Sequence, residues 1–111
     1  MSARRSCLSV PGSSEKMLGK ASETEADEIV IDLEDAVAPN AKEEARDLVC
    51  EFLADDPLPH KSVAVRINAL DTAWGEADVA QLAQRAGEHI DSLVVPMVER
   101  GARGTRRSAL R

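Results

Sequence analysis

The sequence predicts an α/β chain of parallel strands linked by crossing helices, on the pattern of a (β/α) barrel. Strand-like and helix-like periods alternate strictly along it, which calls for right-handed βαβ crossovers and a parallel sheet. Apolar runs also end in polar residues or Gly, at Ser9-Val10-Pro11-Gly12, Ile31-Asp32-Leu33-Glu34-Asp35-Ala36-Val37 and Val65-Arg66-Ile67-Asn68. α/β enzymes place their sites at such C-terminal strand ends. Finally, alternation sorts the side chains by face: Val63, Val65 and Ile67 leave Ala64 and Arg66 opposite, and Ile29, Ile31 and Leu33 leave Val30, Asp32 and Glu34 opposite. An open doubly wound sheet wants apolar residues on both faces, whereas a barrel interior near its mouth accepts charge, so a barrel is favoured over a flavodoxin-like sheet.

The elements follow in order. Cys7–Val10 reads as a short strand ended by Pro11-Gly12, and Ser13 or Ser14 caps a first helix with the stripe Met17, Leu18 and Ala21. Glu28–Leu33 is a β-branched second strand. Pro39-Asn40 opens a second helix, with Asn40 and Glu43 spaced as a capping box. Its apolar face takes Ala41, Ala45, Leu48, Val49, Phe52 and Leu53, and Asp55-Asp56-Pro57 stops it. Ser62–Ile67 is the third strand. Val79, Leu82, Ala83 and Ala86 mark a third helix ending at Gly87, and Leu93–Val98 is the fourth strand.

Composition bounds the function. A chain of 111 residues with 43% hydrophobic and 31% charged residues is one ordinary globular domain at most. A net charge of −6 argues against nucleic acid, which needs clustered cations. There is no membrane-length apolar run and no hydrophobic signal core, and Cys7 and Cys50 lack CxxC spacing. These features predict a cytoplasmic protein with reduced thiols. Residues 1–99 carry nine Lys/Arg against twenty Asp/Glu, a charge of −11, whereas residues 100–111 hold five arginines and no acid. The tail shows neither helical nor strand period and is expected to be a disordered or unrelated end, such as a shifted reading frame would produce, with a basic arm as the alternative.

Arg5-Ser6-Cys7-Leu8-Ser9-Val10-Pro11-Gly12 and Asp32-Leu33-Glu34-Asp35-Ala36-Val37-Ala38-Pro39, followed by Lys42 and Arg46, resemble the citrate lyase beta-subunit group of the HpcH/HpaI aldolase and CoA-ester lyase family. Val65-Arg66-Ile67-Asn68, Asp71-Thr72, Trp74-Gly75 with Asp78, and Val95-Pro96-Met97-Val98-Glu99 continue the resemblance in order over about residues 4 to 99. It implies the first half of a TIM (β/α)8 barrel, with four parallel strands and three helices in residues 1–99, from a protein that forms homo-oligomers. It also implies Mg²⁺-dependent carbon–carbon cleavage of a 3-hydroxyacyl-CoA, of citryl, malyl or citramalyl type, to an acyl-CoA and a 2-oxo acid. Arg66 matches the arginine that grips the substrate carboxylate, a task for a planar fork. Glu34 and Asp35 match acidic positions that hold metal-bound waters or orient that arginine. The direct metal ligands of the family follow later strands, outside residues 1–111.

Two cations of the second helix, Lys42 and Arg46, one turn apart, are read as a solvated helix face, with an acyl-carrier phosphate as the alternative contact. Met97 stands where the fourth-strand motif commonly has Lys, which removes a cation from the mouth. His60 and His89 read as surface histidines. A receiver-like signalling domain phosphorylated at Asp32 or Asp35 would leave the early Pro-Gly and Arg66 unexplained. A non-catalytic remnant that binds carboxylates is the alternative to a lyase. Four strands alone would leave two open sheet edges, so residues 1–111 by themselves are expected to be inactive, and poorly soluble or paired edge to edge.

Overall fold

Cys7–Pro11 forms β1 of a five-stranded sheet, followed by α1 (Glu15–Ala21), β2 (Glu28–Asp32), α2 (Lys42–Ala54), β3 (Ser62–Arg66), α3 (Gly75–Ala86), β4 (Ser92–Glu99) and β5 (Ala102–Ala109). This computed structural model describes residues 6–99 and 102–109, with side chains for 6–96. The side chains of Met97 and Glu99, as well as Arg100, Gly101, Leu110 and Arg111, lie outside the described residues. Strands β1 to β4 are parallel and adjacent in sequence order. This is the predicted arrangement of four parallel strands and three helices.

Apolar alternation builds the core as the sequence indicates. Val10, Ile29, Ile31, Val63, Val65, Ile67 and Leu93 pack with Leu18 of α1, Val49 and Leu53 of α2, and Leu82 of α3. Burial of each such side chain contributes about 1.5–3 kcal/mol, which offsets the entropy of ordering the crossovers. Ser14 is the cap of α1, its Oγ accepting from Met17 N at 3.1 Å. The α2 stop also forms: Asp56 takes the left-handed φ of 53° before Pro57, a conformation Asp tolerates better than most residues.

Several expectations are corrected. Asn40 does not cap α2. Pro39 opens a 3-10 turn, Pro39–Ala41, closed by Ala41 N on Ala38 O at 2.9 Å, and α2 begins at Lys42 without a side-chain cap. Proline is preorganised for that first turn and has no N–H to offer, so the entry shifts past Asn40, which stays exposed. Ala83 faces solvent rather than the core, and the buried stripe of α3 runs Gly75, Asp78, Leu82, Ala86. The tail departs most. Residues 102–109, expected to lack regular structure, form β5 antiparallel to β4, from Glu99↔Ala102 to Ser92↔Ala109. An unpaired edge exposes a row of N–H and C=O groups that any adjacent backbone can satisfy, with no apolar alternation required. Of the two edges expected to be open, that of β4 is therefore covered.

Candidate functional site

Register places the site. Pro11, Asp32, Arg66 and Val94 are direct partners across β1 to β4, so they form one row on the sheet face opposite the helices, at the C-terminal ends of β1, β2 and β3. The ladder continues one residue beyond that row, with Leu33 N donating to Arg66 O at 2.8 Å and Ile67 N to Val94 O at 3.0 Å. Gly12 lets β1 turn away here: its N–H donates to Asp32 O at 2.8 Å, and a Cβ on it would come within 2.7 Å of Leu33 Cδ2.

Asp32 organises the loop after β2. Its Oδ1 accepts from Glu34 N at 2.7 Å and its Oδ2 from Ala36 N at 3.2 Å, an Asx-type turn that presents the two following carboxylates. Arg66 meets both. Its Nε and Nη2 lie 2.9 and 2.7 Å from the same Glu34 oxygen, and Nη2 lies 2.7 Å from Asp35 Oδ2. The Asp32 carboxylate is 3.9 Å away. Burial works against the Arg66 charge, but the Glu34 hydrogen bond and the charges of Asp32, Glu34 and Asp35 outweigh it, so its pKa is raised. The side chains differ in shelter: Glu34 is 11% exposed, Arg66 31% and Asp35 68%. Glu34 is thus a fixed brace, and Asp35 a partner open to exchange.

The structure brings together all three predicted site residues. It reassigns the two helix cations. Lys42, expected on a solvated face, is only 6% exposed, and its Nζ donates to Leu33 O at 3.1 Å and Glu34 O at 2.8 Å beneath the Trp74 ring. Arg46 turns inward too, with Nε 2.9 Å from Asp78 Oδ1. Asp78 is fully buried, and its Oδ2 also accepts from Asn68 N at 3.0 Å and Asn68 Nδ2 at 2.7 Å. Desolvating these charges is tolerable only because each finds a partner from another element. A signal was available for Lys42 and for Asp78, the partner of Arg46. Lys42, Ala45, Val49 and Leu53 share one buried stripe, as do Asp78, Leu82 and Ala86.

The other candidates stand apart from this row. His60 is exposed, and His89 Nδ1 lies 3.4 Å from Asp56 Oδ1. Cys7 is exposed and Cys50 buried, both as free thiols. Among the described residues no three His, Cys, Asp or Glu side chains converge on a metal position, and no helix is long and apolar enough to cross a membrane. The carboxylates that do converge do not fit a Mg²⁺ shell. The Arg66 guanidinium occupies the point where Glu34 and Asp35 meet, and the Asp32 oxygens are taken by backbone N–H groups.

Comparison with known proteins bears directly on this arrangement. Residues 5–106 match the HpcH/HpaI aldolase/citrate lyase family. The chain is 42% identical over 98 residues to a (3S)-malyl-CoA thioesterase of Cereibacter sphaeroides, covering 88% of this chain and 33% of that protein. To the L-malyl-CoA/beta-methylmalyl-CoA lyase of the same species it is 39% identical over 88 residues, covering 79% of this chain and 28% of that protein. Among solved structures, the citrate lyase beta subunit of M. tuberculosis, complexed with oxaloacetate and magnesium, superposes with a TM-score of 0.66 at 31% identity, over 84% of this chain and 38% of that one. The chain spans about a third of the length of the curated relatives it matches. Its neighbours are TIM-barrel-type lyases, and the strand order, the parallel register and the matched length agree in assigning this chain to the HpcH/HpaI aldolase/citrate lyase family.

Proposed function

We propose that this chain supplies the carboxylate-binding end of a barrel that cleaves a 3-hydroxyacyl-CoA of malyl, citryl or citramalyl type. The observation that carries the reading is the Arg66 guanidinium, held side-on by sheltered Glu34 and touched by exposed Asp35. A substrate carboxylate displaces Asp35 from Nη2 and gains a charge-assisted, forked contact without moving the Glu34 brace. Cleavage removes the proton of the 3-hydroxyl and breaks the bond between C2 and C3. The electron pair of that bond passes to C2 as the enolate of the acyl-thioester, and C3 becomes the carbonyl of a 2-oxo acid whose carboxylate stays on Arg66. Protonation of the enolate completes the acyl-CoA.

Mg²⁺ dependence belongs in this proposal to the complete barrel, where the ion would polarise the oxo acid. Residues 1–111 do not hold it alone, because their converging carboxylates face a guanidinium. A (β/α)8 barrel surrounds its mouth with eight strands, and four parallel strands wall the Arg66 face here. The chain by itself therefore binds carboxylates without turnover, the non-catalytic behaviour that competes with the lyase reading.

Oxaloacetate titration followed by calorimetry tests the reading. Saturable binding is expected, and Arg66→Lys weakens it by about 2–5 kcal/mol while the far-UV spectrum stays unchanged. Equal affinity in that variant removes Arg66 from the site. Stoichiometric micromolar Mg²⁺ binding to residues 1–111, or release of CoA from malyl-CoA by them, refutes the division of labour.

A further inference from the structure

Lys42 takes no part in the contacts proposed for the substrate, yet it is buried at the root of the loop that carries Glu34 and Asp35. We propose that Lys42 and Trp74 form a clasp that positions Glu34 against Arg66. Three observations converge on this assignment. The Lys42 ammonium bonds the two consecutive carbonyls of Leu33 and Glu34, at 3.1 and 2.8 Å, and so fixes the backbone from which the Glu34 carboxylate reaches Arg66. The same ammonium lies 5.4 Å from the centroid of the Trp74 ring, which comes from the next loop, between β3 and α3. That loop is itself wound tightly enough to deliver Trp74: Thr72 Oγ1 donates to Ala69 O at 2.6 Å and accepts from Gly75 N at 3.2 Å. Gly75 packs so closely on the Ala69 backbone that a Cβ there would collide with it.

The clasp thereby ties the loop after β2 to the loop after β3, one bearing the carboxylates and the other following Arg66. The cation faces an aromatic ring and two carbonyls, whereas a neutral side chain in its place takes the ammonium from the Leu33 carbonyl and leaves the Glu34 carbonyl the longer contact from Val37 N, at 3.2 Å. Lys42 is then a positioning residue, acting on Arg66 only through Glu34. Its purpose rests on the carboxylate-binding reading of Arg66, but its test does not.

Trp74 is the only tryptophan of a chain without tyrosine, so the indole emission of the chain comes from the ring that faces Lys42. The decisive measurement is solvent exchange of the Arg66 Nε–H proton in the full chain by NMR, because that proton is the donor to Glu34. In Lys42→Met, which keeps the alkyl packing, this exchange is expected to quicken about tenfold. Trp74 emission shifts, while amide exchange at Val63 and Val65 of β3 stays as in the parent. Trp74→Leu leaves the Lys42 hydrogen bonds in place and gives a smaller change at Arg66 in the same direction, and it carries the test should Lys42→Met fail to fold. Unchanged Arg66 exchange in either folded variant overturns the proposal, as does a parallel rise at Val63 and Val65, which marks general destabilisation. Oxaloacetate titration of the parent chain separates the two readings. No change at the Arg66 Nη2 protons, which face Asp35, refutes carboxylate binding, whereas the comparison of variants at Nε–H still decides the clasp.

Discussion

Asp78 concentrates more consequence in one side chain than any other described residue. It is fully buried and accepts from Arg46 Nε, Asn68 N and Asn68 Nδ2, so it joins α2, the exit of β3 and α3 at one carboxylate. Asp78→Ala leaves the Arg46 guanidinium, 11% exposed, without a counter-charge and orphans two Asn68 donors. Breaking a buried pair from one side costs about 3–5 kcal/mol, a large part of the about 5–15 kcal/mol that holds a domain folded. In urea, with a slope of about 1–3 kcal/mol per M, the midpoint of the chain falls by about 1 M or more. Arg46→Met provides the control. If the pair acts as a unit, the double variant Arg46→Met with Asp78→Ala costs less than the two single changes together, with a coupling of about 0.5–3 kcal/mol. A midpoint for Asp78→Ala within about 0.3 M of the parent, or single costs that add within about 0.5 kcal/mol, refutes the reasoning.

Three further outcomes follow from packing, titration and thiol exposure. Gly12→Ala drives a Cβ to 2.7 Å from Leu33 Cδ2 and 3.0 Å from Val49 Cγ2, both side chains being buried, and is expected to destabilise the chain by about 1–3 kcal/mol in the same denaturation experiment; an unchanged midpoint would show that the two side chains retreat freely. Burial, countered only in part by Arg85 and Arg46, raises the Cys50 thiol above its ordinary value of 9.0. The unfolded thiol therefore loses its proton first as pH rises. The contribution of Cys50 to stability is complete below about pH 9 and fades above it through the folded pKa, and Cys50→Ala should flatten that alkaline slope. In mild alkali, mass spectrometry should find exposed Cys7 alkylated well before Cys50; comparable rates would show that the pocket around Cys50 opens readily.

Periodicity alone determined much of this protein. The two-residue alternation of Ile29, Ile31, Val63, Val65 and Ile67 decides which sheet face meets the helices, and hence that Asp32 and Arg66 share the other one. Strict alternation of elements decides that the strands run parallel, and the residues at their C-terminal ends, Glu34, Asp35 and Arg66, are those the fold gathers. Only the tertiary structure decided the fate of the polar residues on helix surfaces. Lys42 and Arg46 were read by their charge, which favours water, although Lys42 lies on the apolar stripe of α2 and Asp78, the partner of Arg46, on that of α3. Their burial depends on partners that come from other elements: the Leu33 and Glu34 carbonyls and the Trp74 ring for Lys42, Arg46 and Asn68 for Asp78. Likewise, the pairing of residues 102–109 with β4 answers to an exposed row of backbone groups and leaves no mark in the side-chain pattern. Side-chain periodicity records the local contest between core and water. A buried charge or an edge strand is settled by groups distant in sequence, and these meet only when the chain has folded.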